Sequence, residues 1–254
     1  MSNISEMTFV GSRIRHFDSQ IGEMGLMATV KKLATNTNTK VETSYDSEET
    51  KVALKKGPVV VVANHPHQSD VIVIMAGLPD RDDFSMVAMS SLLGMGKNID
   101  RHIIPVYINH RAKNKKISEN WQFRLFTKLH SYCQMGEDEE KIKNRQSISL
   151  ASERLSGGQM VIIFPGGGSA NGRWFTGVGY MIKGSTNPNL KIIMANISGT
   201  THWDYFRLIP GLSRILPKIR VRFSAPIGVN EFKESEAREI AKKLETRYEK
   251  WLEN

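Results

Sequence analysis

The most reactive-looking stretch of the chain is VVVVANHPHQSDV, residues 59–71, where an apolar run leads straight into Asn64, His65, Pro66, His67, Gln68, Ser69 and Asp70. His65 and Asp70 stand five positions apart, a spacing at which a turn followed by a helix start brings the two side chains together. A carboxylate on one imidazole nitrogen fixes the tautomer and stabilises the cation formed when the other nitrogen takes a proton. Such a pair is a general base that activates a hydroxyl without any serine nucleophile. Two other readings of the same residues stay open. Asn64, Ser69 and Asp70 could cap a helix with His65 as a turn residue, or His65 and His67 could ligate a metal. The Asp–His pattern of metal-dependent hydrolases requires an Asp one position earlier and a His where Val71 stands. The remaining histidines, His16, His102, His110, His130 and His202, show no comparable ligand spacing.

A second stretch has chemistry of a different kind. Residues 159–179 read QMVIIFPGGGSANGRWFTGVG: an apolar run, then Phe164, Pro165 and the glycines 166, 167 and 168. Backbone amides exposed by such glycines can cradle an oxyanion or a phosphate. The segment lacks the Lys-Ser/Thr of a phosphate-binding P-loop. Ser169 has Gly167 two residues before it but Asn171 two after, so it does not form a nucleophile elbow.

Elements that could hold these residues are legible around them. Short apolar, β-branched runs at 58–63, 84–89, 103–108, 159–164, 191–197 and 219–224 read as strands. Several are apolar throughout, as in parallel or mixed sheets covered on both faces. A helix over 137–155 opens on four acidic residues, Glu137 to Glu140, which favour a helix N-terminus. Ala237, Ile240, Ala241, Leu244, Tyr248 and Trp251 form one stripe of a C-terminal helix, and Val10, Ile14, Phe17, Ile21 and Met24 recur at helical spacing near the start. The expected fold is a single α/β domain, a mostly parallel or mixed central sheet flanked by helices. It divides into an N-terminal helical segment, 1–50, and the α/β domain proper, 51–254. Sites of open α/β sheets lie just past strand carboxyl ends, which is where both stretches fall.

The 254 residues carry 35 Lys and Arg against 26 Asp and Glu, a net charge of +9, which suits an anionic partner. Residues 101–128 hold seven basic residues and one acid; residues 205–230 hold Arg207, Arg214, Lys218, Arg220 and Arg222 and no acid. Nucleic acid is not the expected partner, because no recognised nucleic-acid motif accompanies these residues. No apolar run reaches the roughly 18 residues of a spanning helix, and no secretory signal is visible. A single cysteine, Cys133, excludes an internal disulfide and fits a reducing cytosol. The expected location is therefore cytoplasmic, peripheral at the cytoplasmic face of an anionic membrane.

Taken in order, the two stretches resemble the conserved blocks of the glycerolipid acyltransferase superfamily, whose bacterial type member acylates 1-acylglycerol-3-phosphate. Asn64, His65 and Asp70 match the first block. IIPVYINHR, closing on Arg111, is similar to the second. Phe164, Pro165, Gly167, Gly172 and Phe175 align with the third, and KIIMANISG, residues 191–199, sits where the fourth belongs. The resemblance spans roughly residues 58–228. Three positions depart from it: Gly166 stands where the family has Glu, Ser169 where it has Arg, and Met194 where it has Pro.

The resemblance implies transfer of a fatty acyl group from an acyl-CoA or acyl-carrier-protein thioester to a hydroxyl or amine of a lysolipid-like acceptor. His65 is then the base and Asp70 its orienter. Asn64, Arg111, Phe164, Pro165, Gly166, Gly167, Gly168 and Arg173 line the substrates, and backbone amides near 64–66 or 166–168 hold the oxyanion. No cofactor or metal is implied beyond the thioester co-substrate. Hydrolysis of an ester or thioester by the same base, with or without a metal, and a non-catalytic lipid-binding role are the alternatives.

Overall fold

The structure, a computed structural model, describes residues 9–107, 135–167, 174–209 and 212–253. Its centre is set by β2, Val59–Ala63, the VVVVA run, every residue of which is buried. Successive strand side chains point to opposite faces. Val59, Val61 and Ala63 accordingly enter one apolar core, and Val60 and Val62 enter the other. A strand with two apolar faces needs cover on both, and helices supply it.

The remaining strands are β1 (Val41–Tyr45), β3 (Phe84–Met89), β4 (Ile103–Val106), β5 (Met160–Ile163), β6 (Lys191–Ser198), β7 (Ile219–Phe223) and β8 (Ile227–Gly228). Their order is β1-β7-β6-β2-β5-β3-β4, with β8 beside the start of β6. β2 pairs in parallel with both β5 and β6, and β3 runs parallel to β5 and β4. β7 and β8 are antiparallel to β6, which makes the sheet mixed, as expected.

Helices α1 (Phe9–Met24), α2 (Leu26–Asn36), α3 (Glu48–Lys55) and α4 (Asp70–Gly77) contribute to the core on one face. After a short α5 (Lys97–Asp100), helices α6 (Glu137–Ser156), α7 (Gly177–Gly184) and α8 (Ala237–Leu252) cover the other. The stripe expected on α1 packs inward through Phe17 and Ile21, while Met24 at its end is exposed. Two strands lie outside the runs read from sequence, the two-residue β8 and β1. β1 lies inside the stretch read as helical and pairs with β7, because VETSY alternates polar and apolar residues and is only partly buried. The segment around Cys133 and the basic residues from Arg111 to Lys128 lie outside the described residues.

Met194, which replaces the fourth-block proline, shows how the sheet absorbs the change. A proline has no N–H to satisfy, whereas the buried Met194 amide needs an acceptor. It donates to the hydroxyl of Ser224 at 2.9 Å, just past the end of β7. The Ser224 carbonyl accepts from the Thr50 hydroxyl at 2.9 Å, tying α3 to the same point. Ser224→Ala is expected to lower stability by about 1–3 kcal/mol, the cost of stranding a buried donor. A reduced denaturation midpoint at unchanged slope would register it; a wild-type midpoint would contradict it.

Candidate active site

The two stretches meet because β2 and β5 are neighbours and both open at their carboxyl ends. Asn64 leaves β2 and continues its ladder with a side chain: the carboxamide donates to the Ile197 carbonyl at 2.8 Å and accepts from the Ile197 amide at 2.7 Å. The Asn64 backbone is hydrogen-bonded to the hydroxyl of Tyr248, which itself donates to the Ala195 carbonyl at 2.9 Å. Burial pushes the Tyr248 phenol well above its usual range, so it stays protonated. Asn64, expected among the binding residues, thus commits its carboxamide to holding the strand end.

From that anchor the chain turns back on itself. Asp70 begins α4, is fully buried, and its Oδ2 accepts from the His67 amide at 2.6 Å. The same oxygen lies 3.3 Å from His65 Nδ1, a contact off the line of a good hydrogen bond; catalytic hydrogen bonds are often long before substrate binds. Nδ1 faces the carboxylate, so Nε2 is the nitrogen available to a substrate, and the side chain is 22% exposed. On its other flank the imidazole packs against Phe164, ring centroids 4.7 Å apart. A residue from each sequence block therefore touches the histidine: Asp70 from the first and Phe164 from the third.

The glycine turn is shaped by the same phenylalanine. The Gly167 amide donates to the Phe164 carbonyl at 3.1 Å, and Gly167 adopts φ +58° with the Phe175 ring where a Cβ would stand. Phe175's amide closes the turn on the Pro165 carbonyl at 2.9 Å. Among the amides considered for an oxyanion, Asn64's backbone faces Tyr248, Gly167's faces Phe164, and Pro66 has none. Gly168, Arg173 and Arg111 lie outside the described residues, as does Ser169.

Sequence reasoning missed the support beneath the turn. Ser69 makes no cap with its hydroxyl and donates instead to Asp204. Asp204 also accepts from the Thr201 amide at 3.0 Å and pairs with Arg207 at 2.9 Å; both side chains are buried. Burial alone would raise the Asp204 carboxyl. The Ser69 hydroxyl, the Thr201 amide and the Arg207 guanidinium outweigh it and hold the pKa below the usual carboxylate value. Arg207 extends the network by donating to the carbonyls of Gly199 and Pro217 at 3.3 and 2.7 Å. Gly199, at φ +82°, passes so close to the Lys218 carbonyl that no Cβ fits. Arg207, read from sequence as one of a run of surface cations, is therefore an internal strut. The only signal was Asp204, three positions away.

His67 packs edge-on to His202, centroids 4.6 Å apart. Among the described residues no three His, Cys, Asp or Glu side chains gather where they could hold a metal ion. His102, the one buried histidine among the described residues, sits beside β4 at the sheet edge with Nδ1 3.0 Å from the Phe84 carbonyl; burial pushes its pKa down.

A mixed sheet covered by helices on both faces, with a buried carboxylate behind a partly exposed histidine at its carboxyl end, defines the class: an α/β protein with a candidate site at a strand terminus. The particular family follows from comparison with known proteins. The Acyltransferase family model matches residues 40–193, more than half of the chain, and the chain belongs to that family. The solved structure of the 1-acyl-sn-glycerophosphate (LPA) acyltransferase PlsC from Thermotoga maritima shares its fold, with a TM-score of 0.51 at 18% identity over 96% of this chain and 89% of that one. No curated protein matches the sequence.

Asp204→Asn should cost about 3–5 kcal/mol, because it leaves the Arg207 cation buried without its partner. The carboxyl's folded pKa lies below the unfolded value of 3.8, so its contribution is complete above that value and lost as pH falls through the folded one. The stability gap between wild type and variant should hold constant from pH 8 to about pH 5 and close only in stronger acid, as checked by denaturant unfolding across pH. A gap that narrows at neutral pH would contradict the buried ion pair.

Proposed function

We propose that the chain transfers a fatty acyl group from an acyl thioester to a lysolipid-like acceptor, with His65 as general base. The observation that carries this reading is the His65 ring, set between Asp70 at 3.3 Å and Phe164 at a centroid distance of 4.7 Å. Nε2 takes the proton of the acceptor hydroxyl or amine as that atom attacks the thioester carbonyl. Asp70 stabilises the imidazolium. The tetrahedral intermediate then expels the thiolate, which recovers the proton from Nε2, and no protein side chain becomes acylated. The Gly166 amide, beside Phe164, is the proposed oxyanion donor, a role worth about 3–4 kcal/mol where it has been measured.

The thioester donors considered, acyl-CoA and acyl-carrier protein, are strongly anionic and suit a chain of net charge +9. The acceptor follows from the third block. The PlsC of Thermotoga maritima is described as acting on 1-acyl-sn-glycerophosphate. The superfamily's Glu and Arg in this block, associated with the glycerol-phosphate headgroup, are Gly166 and Ser169 here. A glycine offers only its amide and a serine one neutral hydroxyl, whereas phosphate is best met by a bidentate guanidinium. The preferred acceptor is therefore a lysolipid with another headgroup, or an amine-bearing lipid.

His65→Ala is expected to lower acyl transfer 10²–10⁴-fold, the usual worth of a positioned proton acceptor, while the circular dichroism spectrum stays that of the folded chain. Asp70→Ala should lose activity to a smaller degree. Near-normal turnover in folded His65→Ala would overturn the mechanism, and thioester loss that ignores every acceptor would favour hydrolysis. For the acceptor, kcat/KM on lysophosphatidic acid should fall below that on other lyso- and amino-lipids. A clear preference for lysophosphatidic acid, lost in Arg173→Ala, would show that Arg173 rebuilds the phosphate site.

A further inference from the structure

Five of the twelve large apolar side chains that stand exposed among the described residues fall within residues 203–215: Trp203, Tyr205, Phe206, Ile209 and Ile215, the last 79% exposed. Their clustering has a local cause. Asp204–Leu208 is a 3₁₀ turn, in which side chains three apart eclipse one another. Asp204 and Arg207 thus share the inward face as the buried ion pair, and Trp203, Phe206 and Ile209 share the outward one. Trp203 and Phe206 stack with centroids 5.7 Å apart. The turn that carries the aromatic face is consequently fastened from below by a buried ion pair.

That face borders the catalytic turn. The Tyr205 hydroxyl donates to Gln68, His202 packs on His67, and Asp204 accepts from Ser69. Its charge is not what the sequence suggested. Of the five cations in residues 205–230, Arg207 pairs with Asp204, Lys218 and Arg220 with Glu42, and Arg222 with Asp46. Acids from β1 and the residue after it offset two of the five positive charges, and within residues 203–209 the only charged side chains, Asp204 and Arg207, cancel each other. What residues 203–209 turn outward is apolar and aromatic: Trp203, Tyr205, Phe206 and Ile209.

We propose that Trp203, Tyr205, Phe206, Ile209 and Ile215 seat the protein on a lipid bilayer by insertion of this apolar and aromatic face, with little dependence on lipid charge, and so open the His65 site toward the leaflet. Trp and Tyr pair an apolar body with a polar edge and settle at headgroup depth, and the face shares a border with the site. The choice of a bilayer as occupant rests on the lysolipid reading, since a lysolipid resides there. The docking itself can be measured without turnover.

The experiment uses the full chain with vesicles of phosphatidylcholine alone and of phosphatidylcholine with phosphatidylglycerol. Sedimentation is read at low salt and at about 0.5 M NaCl, where charges are screened within a few ångströms. The expected result is binding to both compositions, retained at high salt, and weakened about tenfold or more in Trp203→Ala/Phe206→Ala, given the apolar area withdrawn. Ile215→Ser should weaken it in the same direction. Tryptophan fluorescence should be quenched by brominated phosphatidylcholine, and that quenching should largely disappear in Trp203→Phe. Release at 0.5 M NaCl, no binding to either vesicle, or unchanged quenching in Trp203→Phe would overturn the proposal. A protein that binds but transfers no acyl group would refute the acyl-transfer reading alone; one that transfers but does not bind would refute the docking face.

Discussion

A carboxylate with no exposure to solvent sits at the mouth of the sheet, and the site is arranged around keeping it there. Stripping an unpaired charge of water costs several kcal/mol in a protein interior. Asp70 offsets part of this through the His67 amide on Oδ2 and through the first turn of α4, where a negative charge is favoured by about 0.3–1 kcal/mol; the His65 ring lies 3.3 Å from the same oxygen, and Oδ1 has no hydrogen-bond partner among the described residues. Remove the carboxylate and the turn loses the acceptor for its amide, and the imidazole loses what fixes its tautomer. The proposed base and its orienter are thus one folded unit spanning six residues.

That unit is only as well placed as the strand it grows from. β2 is apolar on both faces and lies inside the parallel portion of the sheet, so its end is fixed by β5 on one side and β6 on the other. Asn64 carries the β6 pairing one residue further with its side chain, and Tyr248 reaches from α8 to the same backbone. Phe164, at the end of β5, closes over the histidine. The layers that cover the sheet are thereby connected directly to the His65 ring. Beneath the turn, Asp204 and Arg207 fasten it to the segment after β6.

What could be read from the sequence follows from how local each interaction is. The six strands expected from apolar runs all appear, because burial on both faces leaves an uninterrupted signature; β1, half-buried at a sheet edge, leaves none. The α8 stripe announced its core face, though nothing announced that the Tyr248 hydroxyl would bind strand ends. His65 and Asp70 were legible because five positions of separation suffice to define their contact. Ser69 and Asp204 are 135 positions apart, and only the fold brings them together. Charge was the least legible quantity: of a basic run counted along the chain, Arg207 is buried on Asp204, and Lys218, Arg220 and Arg222 meet Glu42 and Asp46 across the sheet. The Met194 position shows the converse, a local departure compensated by a hydroxyl thirty residues away.

The central claim is that Asp70 holds His65 with its proton on Nδ1 and its lone pair on Nε2, ready to take a proton from the acceptor. Nitrogen-15 NMR of histidine-labelled protein at neutral pH measures this directly, with His65→Ala identifying the resonance. The account predicts a protonated Nδ1 coupled to a downfield proton, and its loss of order in Asp70→Asn. A protonated Nε2 in the wild-type protein, or a spectrum indifferent to Asp70→Asn, would contradict it.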